Sequence, residues 1–185
     1  MIIFVDDFLD FIAIKPVSML QGKYFWTFLT SMFMHAGFFH LFANMFSLLF
    51  IGGLVEKILG RKRYLSFYII SGLIAGAFFV LLSLIFSGDL NTYAVGASGA
   101  LFGLIGLLML LTPNLPVYIM FIPIPIKMKY AAPGILIILW LISFAGNLQI
   151  GNTAHFGGLI AGLTYGLYLR KKYRNKVRVI GRYFS

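Results

Sequence analysis

The stretch GASGALFGLIGLLMLLTP, residues 96–113, decides how this chain must fold. It carries no charge and is apolar apart from its ends, so it reads as a helix in hydrocarbon. Thr112-Pro113 stops it, because proline lacks the N–H a helix needs. The helix then covers about residues 97–111. At ~1.5 Å per residue that is roughly 22 Å, less than the ~30 Å core of a bilayer. One end must stop inside the membrane thickness. Ser98 stands near one end, between Gly96 and Gly99.

The rest of the chain fits that environment. Of 185 residues, 61% are hydrophobic and 11% charged, with a mean hydropathy of +0.95. A soluble domain carries about 25% charged residues. The composition therefore excludes an ordinary soluble globule and a disordered chain. Long continuous apolar runs argue against an outer-membrane barrel, whose strands alternate. Cysteine is absent, which removes disulfides, a thiolate nucleophile and cysteine metal ligands. The predicted class is all-α: a polytopic helical membrane protein in one domain.

Residues 1–23 are interrupted by Asp6, Asp7, Asp10, Lys15 and Lys23. Tyr24 to Val55 has no charge, but its aromatic first part reads as a loop in the membrane interface, broken at Gly37. Spans are expected at about 38–55, 64–86, 97–111, 131–148 and 154–169. "EKILGRKR" is expected as a basic turn and residues 113–130 as a proline-broken interfacial stretch. The domain divides into 1–37 (N-terminal segment and loop), 38–169 (helical core) and 170–185 (basic tail).

Five alternating spans sort the charges. One side receives 13 of the 15 lysines and arginines, from Lys57 to Arg182; the other receives Lys15, Lys23 and four of the five acids. Basic loops stay in the cytoplasm, so the C-terminus is expected there and the Ser98 end of its helix toward the outer face. The net charge of +10 then calls for no nucleic-acid partner. The tail also suits anionic lipid.

Polar groups at depth mark function. Ser98 suits a plain helix N-cap, yet the glycines beside it leave room for a substrate backbone, and the first N–H groups of its helix are unpaired. A serine nucleophile needs a base. His155 opens another helix, whose dipole favours a neutral imidazole. Gly162 and Gly166 lie about 20° to either side of it, with Gly158 nearby, and such stripes let membrane helices touch. Gly99, Gly103 and Gly106 face likewise on the Ser98 helix. His40 and Asn44, at i and i+4, share a face and can donate hydrogen bonds to an oxyanion, or simply bond between helices. His35 is expected to order the loop. Phe102, one turn below Ser98, can offer a ring face to the imidazole. Glu56 is about 24 Å below His40, and Asp89 is the one remaining carboxylate near Ser98. A Ser-His dyad is therefore favoured over a triad. No H-E-x-x-H pattern occurs, so no metal is expected.

"HAGFFHLFANMFSLLFIGGLVEKILG", "GASGALFGLIG" and "AHFGGLIAG" together resemble the rhomboid intramembrane serine proteases, over roughly residues 24–170. The resemblance implies Ser98 as nucleophile, His155 as base, and Asn44, His40 and the Ser98 N–H at the oxyanion, with Phe102 stacked on the histidine. It implies transmembrane protein substrates, cleavage near the outer face and no cofactor. Two features depart from the family. Trp26-Thr27 stands where Trp-Arg is frequent, and five spans are found where the family core has six. An additional apolar helix ahead of Met1 is therefore expected. A silent relative that binds membrane proteins would lack Ser98 or His155, and a small transporter would show internal pseudo-symmetry. The expected setting is a prokaryotic cell membrane.

Overall fold

The computed structural model describes residues 8–85, 90–118, 124–146 and 151–184. Residues 8–12 are helical, followed by α1 (Pro16–Leu20), α2 (Thr27–Thr30) and a 3-10 turn (Ser31–Phe33). Then come α3 (Phe38–Ser47), a π-turn (Leu48–Gly52), α4 (Gly53–Leu59), α5 (Arg61–Ser83) and α6 (Ser98–Leu111). A short antiparallel pair, β1 (Pro116–Val117) and β2 (Ile126–Lys127), leads into α7 (Met128–Gly146). The chain closes with α8 (Asn152–Lys172) and α9 (Arg174–Tyr183).

Among the described residues, three helical rods are long and apolar enough to cross a membrane: Phe38–Leu59, Arg61–Ser83 and Met128–Gly146. The other two expected spans appear as α6, which is short, and α8, where glycine, tyrosine and His155 replace bulk aliphatics. α6 runs through the middle. Its Leu104, Leu107, Leu108 and Leu111 are at most 2% exposed, and it is apolar on every face, as a helix surrounded by others must be. Large side chains such as Phe39, Leu49, Ile85 and Phe144 point outward. That arrangement suits hydrocarbon, in which outward apolar groups are solvated and backbone polar groups must pair within the helix.

Gly37 does start the first span, but the span does not end at 55. It continues to Leu59, and the next helix begins at Arg61, not 64. The expected basic turn shrinks to Gly60, whose φ of +79° reverses the chain in one residue because glycine has no Cβ to clash. Glu56, Lys57 and Arg61–Arg63 are helical. Their long side chains reach water from the helix ends, so charge there does not require a loop. α7 likewise begins at Met128, not 131. The Met128 N–H bonds the Leu115 carbonyl, fastening the β-pair to the helix start. Pro133 lies inside the helix, where it removes one ladder bond. Within the tail, residues 170–172 end α8 and α9 has no buried residue.

Candidate active site

α6 and α8 touch along their glycines. A Cβ on Gly158 would collide with the Gly99 carbonyl oxygen, one on Gly162 with that of Gly103, and one on Gly106 would sit 2.6 Å from the Leu159 oxygen. Backbone therefore meets backbone. His155 stands in the first turn of α8, its N–H bonded to the Gly151 carbonyl. The packing puts its Nε2 2.8 Å from Ser98 Oγ.

Ser98 is the first residue of α6 and makes no side-chain cap; the N-cap position belongs to Ala97. Its hydroxyl is thus not spent on the helix end, which disposes of the simple N-cap reading. The Ser98 N–H lies among the first four of the helix, which have no intrahelical acceptor. His155 is 6% exposed. Its ring stacks on Phe102 at 4.6 Å between centroids and 21° between planes. Nδ1 has no partner among the described residues. Asp89 lies outside them. Glu56 is on α4, at the far end from Ser98. A tautomer with the proton on Nδ1 leaves Nε2 free to accept from the serine.

A cavity of about 390 Å³ opens over this pair, lined by Ser98, His155, His40, Gly96, Met32 and Ala154 among others. His40 Nδ1 accepts a hydrogen bond from the Ala36 N–H at 3.4 Å. In a neutral ring that leaves the proton on Nε2, which becomes a donor. A Cβ on Gly96 would lie 2.7 Å from His40 Nε2 and 3.5 Å from Asn44 Nδ2. Gly96, at φ +113°, can hold this backbone shape and leaves room for the histidine. Asn44 is 4% exposed and is not on the cavity wall. Its Nδ2 donates to the His40 carbonyl at 2.9 Å; an amide has a second N–H to give. His35 packs edge-on against His40, ring centroids 5.1 Å apart, and burial lowers its pKa below the ordinary imidazole value. No three histidine or acidic side chains gather as a metal-ligand set among the described residues.

The description "Rhomboid domain" fits residues 22–172 of this sequence. The chain is a rhomboid. It is 38% identical over 151 residues to RHOMBOID-like protein 5 of Arabidopsis thaliana, covering 80% of this chain and 46% of that protein. It is 39% identical to RHOMBOID-like protein 1 of the same plant, covering 81% and 36%. Inactive RHOMBOID-like protein 8, also from Arabidopsis, is 32% identical, covering 78% and 38%. The chain thus spans less than half the length of these relatives. It is an integral membrane protein of all-α fold. These plant relatives lend no support to the prokaryotic setting expected from sequence.

Sequence reasoning missed how this rhomboid holds the segment leading into Ser98. Ile14 and Ala94 form a β-bridge, with bonds of 3.1 and 2.8 Å in the two directions. The Val17 N–H bonds the Leu90 carbonyl, and the Gly96 N–H bonds the Ser31 carbonyl. Beside the bridge, Lys15 Nζ donates to Asp10 Oδ1 at 3.0 Å and to the Tyr93 hydroxyl at 3.1 Å, while Tyr93 donates to the same Asp10 oxygen at 2.6 Å. Partial burial pushes the Asp10 carboxyl up, but Tyr93 and Lys15 outweigh it and hold it below its ordinary value. The Tyr93 bond, then Asp10, raises Lys15 against its own desolvation. The interfacial loop is tied to the same segment without an arginine. The Trp26 indole donates to the Phe11 carbonyl and Thr30 Oγ1 to that of Ile12, both at 2.8 Å. Thr27 is fully buried. No local pattern marks these pairings, because their partners lie up to 83 residues apart.

Proposed function

We propose that this rhomboid is an intramembrane serine endopeptidase working with a Ser98–His155 dyad. The observation that carries the reading is the 2.8 Å contact between Ser98 Oγ and His155 Nε2, at a cavity inside a lipid-facing bundle. Ser98 Oγ attacks the carbonyl carbon of a substrate peptide as its proton passes to His155 Nε2. The carbonyl oxygen becomes an anion, which the Ser98 N–H and His40 Nε2 stabilise; the second Asn44 N–H, behind the cavity wall in the free protein, joins them when substrate fills the cavity and the catalytic hydrogen bonds tighten. His155 then gives the proton to the leaving amine. The acyl-enzyme ester is hydrolysed by water, activated by the same imidazole. Phe102 fixes the ring plane that a third polar residue would otherwise orient. No cofactor takes part.

Transmembrane proteins are the substrate class that the rhomboid fold supports, since Ser98 and His155 lie among helices whose outward faces are apolar. Relatives include a protein named inactive, so activity must be tested directly. A fluorophosphonate should form a phosphonyl ester on Ser98, located by mass spectrometry of the purified protein. Absence of that adduct, in protein that is folded, would overturn the dyad.

Two further results are expected. Asn44→Ala should lower turnover by about 10²–10³, the usual cost of one oxyanion donor, while Ser98 still reacts with fluorophosphonate. Unchanged turnover would make Asn44 a packing residue that holds His40. A reporter fused after Ser185 should report from the cytoplasm, since 13 of 15 basic residues gather at that end of the bundle. An external signal would put the active site on the inner face.

A further inference from the structure

A second cavity, larger than the one at Ser98, lies at the opposite end of the bundle. It is a groove of about 570 Å³ between α5 and α8, open to the side. We propose that this groove is a binding site for one anionic phospholipid, its headgroup at Lys62 and Arg63 and one acyl chain along α5.

The lining grades as a lipid does. Lys62 and Arg63 stand at the mouth, on the basic end of the bundle. The hydroxyl-bearing residues Ser66, Thr164 and Tyr168 also line it. α5 and α8 run antiparallel, and the stacking of Phe67 on Tyr165 at 4.7 Å sets their register. Those hydroxyls therefore lie within about a turn or two of the basic mouth. Beyond them Phe67, Ile70, Ile74, Ile160 and Ala161 are apolar. Lys62 and Ile74 are about 18 Å apart along the helix at ~1.5 Å per residue, close to half of the ~30 Å hydrocarbon core. The groove is thus the depth of one leaflet.

Charge decides the headgroup. No carboxylate among the described residues is within ion-pair distance of Lys62 or Arg63. Arg63 lies 5.8 Å from the centroid of the Tyr173 ring, and Lys172 lies over Tyr168 and Tyr173 while donating to the Tyr168 hydroxyl at 2.8 Å. The Tyr173 ring holds Arg63 at the mouth without neutralising it, since a cation–π contact leaves the full charge. Basic pockets between membrane helices on the cytoplasmic side take anionic headgroups in this way. A zwitterionic headgroup would bring its own cation to the same place. The inference does not depend on the proposed catalysis, because it rests on the other end of the bundle.

The test uses the full chain in mild detergent, stripped of lipid, with unfolding midpoint and native mass as readouts. Phosphatidylglycerol should raise the midpoint saturably and appear as one retained lipid. Phosphatidylcholine with the same acyl chains should do so at least about tenfold more weakly, and inorganic phosphate not at all. Lys62→Gln/Arg63→Gln should weaken the phosphatidylglycerol response about 30-fold, since each basic residue near a membrane surface contributes roughly fivefold. Ile74→Trp, which fills the apolar end, should weaken it without touching charge. Equal responses to the two lipids, or to free phosphate, would overturn the proposal. So would a double variant that binds as wild type while neutralising Arg174, Lys176 and Arg178 abolishes binding, for then the tail holds the lipid.

Discussion

Ser98→Ala should end cleavage of a transmembrane test substrate, a loss of about 10³ or more, with the fold intact. The side chain contributes one oxygen, 2.8 Å from His155 Nε2. It caps no helix, so α6 does not depend on it. Its loss leaves one buried nitrogen unpaired, which costs about 1–3 kcal/mol at most, and the cavity beside it offers water a place to pair. His155→Ala should fail as completely, because a serine hydroxyl at neutral pH is a poor nucleophile without a base. The decisive measurement is the double variant. Residues acting as one unit are strongly non-additive, so Ser98→Ala/His155→Ala should be no slower than either single change. Losses that multiply would mean that the two side chains act separately, and the dyad would be wrong.

The pairing could be read from sequence because small residues repeat at helical spacing. Gly158, Gly162 and Gly166 announce where α8 can be approached, and Gly106 does so for α6, whereas the open sides of Gly99 and Gly103 face Ala75 and Ser71 on α5. Once two stripes are known, the groups at their ends are nearly placed. The helix ends of the basic turn were harder. Charge at a membrane boundary resembles a loop in any window of sequence, whether the backbone turns or stays helical. Only the φ of Gly60 distinguishes the two. The Asp10–Lys15–Tyr93 cluster left no trace at all. It joins segments 83 residues apart in sequence, and neither segment has a period that points to the other. Asn44 is an intermediate case. Its spacing from His40 put both on one face of α3, but spacing does not tell that the amide is buried and gives one N–H to the His40 carbonyl.

The glycine contact makes a second strong prediction, remote from the chemistry. Gly162→Ala should lower turnover by about 10² and lower the unfolding midpoint. A Cβ at this position would run into the Gly103 carbonyl and stand 2.8 Å from the Leu107 nitrogen. Both are backbone, so neither can rotate away, and α6 and α8 must part. Such overpacking costs about 1–3 kcal/mol. Gly162 lies about 10 Å along α8 from His155 at ~1.5 Å per residue, so the helix carries the displacement to the imidazole. A misplacement of about 1 Å is enough for a hundredfold loss in rate, and it would stretch the Ser98–His155 bond past useful length. Gly134→Ala is the control. Nothing lies within 4 Å of a Cβ there, and alanine favours a helix over glycine by about 1 kcal/mol, so stability should hold or rise. The rate of fluorophosphonate labelling separates the causes. It should fall with turnover in Gly162→Ala, because the probe needs the dyad but no transmembrane substrate. Labelling at the wild-type rate with slow proteolysis would show that the helices kept their distance and that substrate entry was blocked instead.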